Sequence, residues 1–465
     1  LRLLLLQTYK NNYWGARPTG LPEVSSMSKP ATTVAAVQGL NAAAKNRSDK
    51  GSRYIQLMLL VLAAGAIYPI LYLRQVYQTT MLEVFQINHS ELGYLYSMLG
   101  TIFLLSYLPS GWLADRIAPR FLIFFSLVAT GALGLWYSTA PSMAGLMIIF
   151  GCWGLTTGLT FWASVLKRVK MIAHQTEQGR FFGILDGGRG LVEALLATIA
   201  LGLFAFATET RGESAAEGFK HVVYLYAFTC IAIGGVLVLI KDPKAMEDTA
   251  PVEKGKYNLL GDLTTLVKIP ELWLVTAIVF CGYHIFWATY SFSDYLQGGG
   301  MTAVMAGTIT TIKLWMRPIG GIGGGWLGDK FSNISVLIVA LFLATLAMVG
   351  LIVFPALNSM GLLVGTVIFI GLMTYAIRGL YWAILDTCNI PLRITGLAIG
   401  IVSVVGYLPD AFIPLINGYL TEHFPGALGY KLYFGYIASV GLIGTVAALT
   451  LRARINRQSS NKTGA

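Results

Sequence analysis

Nine ionisable residues interrupt long apolar runs in this sequence: Arg74, Asp186, Arg189, Glu193, His284, Lys313, Arg317, Arg378 and Asp410. An ionisable side chain at bilayer depth costs at least about 2.5–3.5 kcal/mol on insertion scales, so each needs a partner, water or a task. Asp186, Arg189 and Glu193 are spaced i, i+3, i+7 and share one face of a helix. Lys313 and Arg317 are spaced i, i+4 and share a face of another. Opposed acidic and basic faces can form ion pairs that break and reform. An isolated arginine such as Arg74 can ligate an anion or snorkel to headgroups. Asp410 lies between Pro409 and Pro414 and could pair with Arg74 or accept a proton.

A second pattern is a repeated turn. Gly111-Trp112-Leu113-Ala114-Asp115-Arg116 returns as Gly325-Trp326-Leu327-Gly328-Asp329-Lys330, 214 residues later. Each copy follows one apolar run and precedes another, which indicates two structurally related halves. Asp115 closes its span at a surface, where it can accept hydrogen bonds from a neighbouring helix N-terminus, whose partial positive charge favours a carboxylate. Such a contact would hold one access state and release in the other. The alternative is a plain polar turn.

The elements that position these residues are helices crossing a bilayer. Of 465 residues, 55% are hydrophobic and 12% charged, against about 25% charged in soluble domains. Twelve apolar stretches, each near 20 residues, cover 54–80, 92–112, 120–138, 143–166, 181–207, 221–240, 271–293, 302–326, 333–354, 359–383, 394–417 and 430–451. The reading is an all-α membrane protein with twelve transmembrane helices in two pseudo-symmetric six-helix bundles. Its parts are a tail 1–53, bundles 54–240 and 271–452, a polar linker 241–270 and a tail 453–465. Met27 is the first methionine, and residues 1–26 read as an overextended leader, expected to be disordered.

Lys and Arg concentrate in alternate connections: Arg116 and Arg120; Lys167, Arg168 and Lys170; Lys241 to Lys256; Lys330; Arg393; and Arg452 to Arg457. That bias puts both termini on the cytoplasmic side of the membrane. The net charge of +11 is therefore an orientation signal and excludes a nucleic-acid partner. Cys152, Cys230, Cys281 and Cys388 fall in or beside apolar segments without a CxxC, so they read as packing residues. There is no Walker sequence, HExxH, EF-hand loop or Gly-x-Ser-x-Gly, hence no ATP drive, no enzyme, no metal and no cofactor.

Twelve spans, a central polar loop and Gly-x-Leu-Ala-Asp-Arg at 111–116 resemble the major facilitator superfamily over about residues 54–452. Ala118, Pro119 and Arg120 keep only part of the motif's continuation, and span 4 (Phe150-Gly151-Cys152-Trp153-Gly154) lacks the family's arginine motif. Tyr72-Leu73-Arg74, Ser90-Glu91-Leu92-Gly93 and Gln178-Gly179-Arg180 look like the organic-anion and organophosphate branch, although span 7 offers His284 where that branch carries an arginine. Asp186-Gly187-Gly188-Arg189-Gly190 looks like that of bacterial inner-membrane members.

The resemblance implies that spans 5 and 8 pack across the two halves. Glu193 and Lys313, both roughly 18–20 Å deep by helical rise, should then face each other, with Arg317 roughly 14 Å deep and Asp186 roughly 8 Å. On this reading Arg74, Tyr68, Tyr72, His284 and Lys313 form a substrate site for an anion. Asp115, Arg116, Asp186, Arg189, Glu193, Arg317, Asp329, Lys330 and Asp410 serve gating and coupling. Three alternatives stay open at this point: Asp186, Arg189 and Glu193 satisfying one another; Glu193 as a proton carrier; and His284 as a packing residue. Arg378 is expected to pair with Asp386 or to snorkel.

The expected function is a secondary transporter of a small organic anion, working by alternating access and coupled to protons or a counter-anion. A proton symporter of a neutral sugar or nucleoside, and a non-transporting membrane sensor, are the other readings. The expected partners are the substrate and the lipid bilayer, and the expected state is a monomer.

Overall fold

The computed structural model describes residues 51–241 and 259–463, apart from 175–176, 358, 389, 391–393 and 425. The expected leader and nearly all of the expected tail 1–53, most of the linker 241–270, and Arg393 lie outside the described residues.

Every regular element among the described residues is helical. Span 1 is α1 (Gly51–Ala66) followed by α2 (Arg74–Phe85). The sequence reading made this one continuous helix. Pro69 has no N–H to donate, and the chain passes through hydrogen-bonded turns such as Leu71 N to Tyr68 O before α2 begins. Span 2 is α3 (His89–Arg116), opened by a capping box. Glu91 N donates to Asn88 Oδ1 at 2.8 Å and Asn88 N donates to Glu91 Oε2 at 2.9 Å.

Spans 3 to 6 are α4 (Pro119–Tyr137), the pair α5 (Met143–Gly154) and α6 (Trp162–Ile172), α7 (Gln178–Ala205) and α8 (Ala215–Leu239). A π-helical turn at Leu155–Leu159 joins α5 to α6. There the Thr156 and Thr157 hydroxyls both bond back to Trp153 O, a habit that bends helices.

The expected linker ends in a short helix, α9 (Leu259–Val267). Span 7 is α10 (Pro270–Ala288), opened by its proline, and continues through a 3-10 turn into α11 (Phe292–Gly298). Spans 8 and 9 are α12 (Ala303–Lys330) and α13 (Asn333–Val353). Span 10 is α14 (Met360–Leu380) and carries on as a 3-10 helix over Ala383–Cys388. Span 11 is α15 (Thr395–Gly406) with α16 (Pro409–His423), and span 12 is α17 (Ala427–Thr463). The expected tail 453–465 is thus largely helical. It docks on span 7, where Gln458 Nε2 donates to Glu271 Oε1 at 3.1 Å.

Nine spans among the described residues are long and apolar enough on their own to cross a membrane. The other three are span 8, diluted by the charges of α12, span 1, which is broken, and span 2, which bends between Ser106 and Pro109.

Glycine sets how closely the helices approach. A Cβ on Gly100 of α3 would lie 2.1 Å from Asp410 O of α16, and one on Gly93 would lie 2.5 Å from Pro414 O. Only a residue without Cβ allows that backbone contact, which seals the end of the molecule opposite the repeated charged turns.

Candidate functional site

The buried charges converge on a cavity of about 190 Å³ between spans 1, 2, 4, 5, 7, 8, 10 and 11. It continues toward the charged turns as a vestibule of about 1030 Å³. The charged residues lining the cavity are Arg189, Glu193, Arg317, Arg378 and Asp410. Tyr68, Tyr72, Trp162, Tyr283, Phe286, Tyr290, Tyr375 and Tyr407 form most of the remaining wall. Tyr68 and Tyr72 are thus part of the cavity lining. Tyr72 packs on Tyr290 of the other half, 5.2 Å between centroids.

The acidic and basic faces of α7 and α12 do meet, but with other partners than expected. Arg317 Nη1 pairs with Glu193 Oε2, not Lys313 with Glu193. Helical Cβ atoms lean toward the helix N-terminus. Helices α7 and α12 run in opposite senses, so Glu193 reaches down toward the charged turns while Arg317 reaches up. Lys313 reaches past the pair. Its Nζ donates to Gln75 Oε1 and, at 3.2 Å, to Thr289 Oγ1. Fully buried, it ties span 8 to spans 1 and 7 and does not line the cavity. Arg189 Nε lies 3.0 Å from Asp186 Oδ1 on its own helix. The self-satisfied triad thus holds for two of its members, and Glu193 crosses between halves.

Arg74 lies away from the cavity. It is 2% exposed and stacks over Tyr96 at 4.9 Å. Its Nε and Nη2 donate to Gln78 Oε1 at 3.2 and 3.0 Å, and Nη2 donates to Asn417 Oδ1 at 2.9 Å. It belongs to the sealed far end and not to the cavity wall. Asp410 does not pair with Arg74. It accepts from Tyr283 Oη at 2.8 Å and Trp287 Nε1 at 2.5 Å. His284 faces away from the cavity. Nε2 meets Tyr436 Oη at 3.0 Å and Nδ1 meets Phe280 O at 2.8 Å, the packing alternative.

At the charged-turn end, Asp115 meets no helix N-terminus among the described residues. Lys167 Nζ lies 3.4 Å from Asp115 Oδ1 and 2.7 Å from Ala114 O, within the same half, and the Asp115 side chain is 79% exposed. Arg116 stacks on Trp112 at 4.0 Å, and Lys330 lies over Trp326 at 5.3 Å. Asp329 is exposed. The turns are therefore splayed, and the vestibule opens on their side.

The sequence analysis does not single out Asp294, and it places Arg378 too near the end of span 10. Asp294 of α11 collects Gln78 Nε2 at 3.0 Å, Thr79 Oγ1 at 2.7 Å and Tyr430 Oη, latching spans 1, 7 and 12 at the far end. One residue past the expected end of span 7, it carried no helical-face signal. Arg378 faces the cavity and stacks on Phe286 at 4.0 Å. The 3-10 continuation hid its depth, because the sequence reading ended span 10 at 383. The Asp386 side chain, its expected partner, lies outside the described residues.

Residues 54–414 match the Major Facilitator Superfamily profile. The chain belongs to that superfamily. It is 29% identical over 409 residues to the Inner membrane protein YihN of Escherichia coli K12, covering 86% of this chain and 95% of that one. It is 23% identical to a D-galactonate transporter of Escherichia coli O6:H1, covering 87% and 96%. Among solved structures, a bacterial homolog of the human lysosomal transporter Spinster, inward-facing and unoccupied, superposes with a TM-score of 0.66 at 14% identity, covering 87% of this chain and 96% of that one. This superfamily member is a multi-pass membrane transporter, not an enzyme.

Proposed function

We propose that this transporter carries a small organic anion across the inner membrane by alternating access. The observation that carries the reading is Arg378: of the three cavity arginines, Arg317 holds Glu193 and Arg189 holds Asp186, while Arg378 makes no ion pair among the described residues. A low-dielectric wall around uncompensated positive charge favours an anion over a neutral ligand. The likeness to a D-galactonate transporter supports a sugar acid.

In the alternating cycle the sealed far end is one gate. It consists of the Asp294 latch, the Arg74–Asn417 bond and the glycine contacts of α3 with α16. The splayed turns with Asp115, Arg116, Asp329 and Lys330 are the other. With the Lys and Arg bias setting orientation, both termini are cytoplasmic and the conformation is open inward. The Arg317–Glu193 pair couples the halves at the cavity.

The tyrosine-rich wall also suits a neutral sugar, which is the second reading. Uptake into proteoliposomes of galactonate, galactarate and galactose, with and without an imposed pH gradient, separates the two. Saturable anion uptake that galactose does not compete supports the proposal. Galactose uptake without anion uptake sinks it.

A further inference from the structure

Two of the three cavity arginines already hold an acid: Arg189 has Asp186 and Arg317 has Glu193. Arg378 is different. Its guanidinium rests on the faces of Phe286, at 4.0 Å, and Tyr283, at 5.6 Å. Among the described residues, no carboxylate or carbonyl bonds it. The remaining cavity carboxylate, Asp410, is engaged by Tyr283 and Trp287. Arg378 lines both the smaller cavity and the vestibule, so it stands on the route between them.

Its depth follows from the helix continuing past Leu380. Ten further residues to Cys388 place it on the order of 15 Å inside that end of span 10. A cation at such depth needs a partner, and here the aromatic faces leave its donor edge free.

We propose that Arg378 is the anchor for the substrate's carboxylate, and that the substrate is a hydroxylated monocarboxylate. The inference rests on the organic-anion reading above. A guanidinium stacked on aromatic rings presents a planar fork that binds a carboxylate through two parallel hydrogen bonds. One negative charge balances Arg378. A second would be drawn against Glu193 or Asp410 on the same small cavity, which disfavours a dianion. The rest of the ligand lies among Tyr72, Tyr283 and Tyr407, whose rings and hydroxyls suit a polyol chain.

The test measures binding by purified full-length protein for three ligands of one carbon skeleton: galactonate, galactarate and galactose. Wild type should bind galactonate best. Arg378→Gln should weaken galactonate about 10- to 100-fold, the change that one charge-assisted bond supports. Arg378→Lys should recover only part, because an ammonium lacks the fork. As a measurement free of folding effects, galactonate should protect Arg378 of the wild-type protein from phenylglyoxal, read by peptide mass spectrometry, while galactose should not.

If wild type binds galactonate and a folded Arg378→Gln binds it equally, or if Arg378 gains no protection, the anchor is overturned while the anion reading stands. Galactarate bound as tightly as galactonate overturns the monoanion. Wild type binding galactose and neither anion overturns the anion reading, and the anchor with it.

Discussion

Arg317 and Glu193 are each a little under one-fifth exposed and join the two halves beside the cavity. Breaking a fully buried pair from one side costs about 3–5 kcal/mol, and the water-filled cavity should reduce that to about 1–3 kcal/mol. Arg317→Gln and Glu193→Gln are each expected to lower the melting temperature and slow transport. The double variant should be less harmful than the sum, because it leaves no orphan charge. Additive effects in that cycle would mean the two side chains act separately. Lys313→Gln should couple to Glu193→Gln more weakly, since Gln75 and Thr289 bond the lysine and Glu193 acts on it only through space. That pairing was half legible in the sequence. The i, i+3, i+7 and i, i+4 spacings identified the two faces, but counting rise along each axis ignores where side chains lean. In antiparallel helices the lean brings Glu193 and Arg317 together and sends Lys313 past them. Arg74 was misread for a related reason: nothing in a single sequence announces that Asn417, 343 positions away, will take a bond from its guanidinium.

Among elements, the repeated turn was the clearest signal in the sequence, and its spacing located the two halves. Its partner was not legible, because a turn that changes contacts between states shows only one of them here. Asp115 is so exposed beside Lys167 that their contact is worth about 0–1 kcal/mol. Asp115→Asn should therefore leave this open conformation and its melting temperature nearly unchanged. Any slowing of transport then reports a contact made in the opposite state, and it should appear as greater labelling of vestibule cysteines such as one placed at Gly183. Equal rate and equal labelling would reduce the motif to a plain turn. The far end gives a second element-scale prediction. The atom facing Gly100 is a backbone oxygen, which cannot swing aside, so Gly100→Leu should prevent α3 and α16 from closing. Transport should be lost, and a cysteine placed at Ser97 should become reactive from the far side. Normal closure in Gly100→Leu would show that this contact is incidental.

For the whole molecule, alternating access requires the two ends to open in turn, so that fixing one end shut must stop transport without abolishing binding. The twelve spans and the two halves could be read from hydropathy and the repeated turn. Which end is closed could not, since that depends on sub-ångström fits such as those of Gly93 and Gly100. Ser97 Oγ bonds to Ala411 O across the sealed end, so this pair offers a direct handle. With Ser97→Cys and Ala411→Cys joined through two disulfides by a short bis-methanethiosulfonate, each end releasing methanesulfinate, the α3–α16 contact cannot part. Uptake should fall to background on cross-linking and return on reduction. Galactonate binding in detergent should persist in the cross-linked protein, because the vestibule on the charged-turn side stays open. The single-cysteine variants treated alike control for the reagent. Undiminished uptake by fully cross-linked protein would mean that α3 and α16 need not separate, and that the substrate leaves the cavity by a different route.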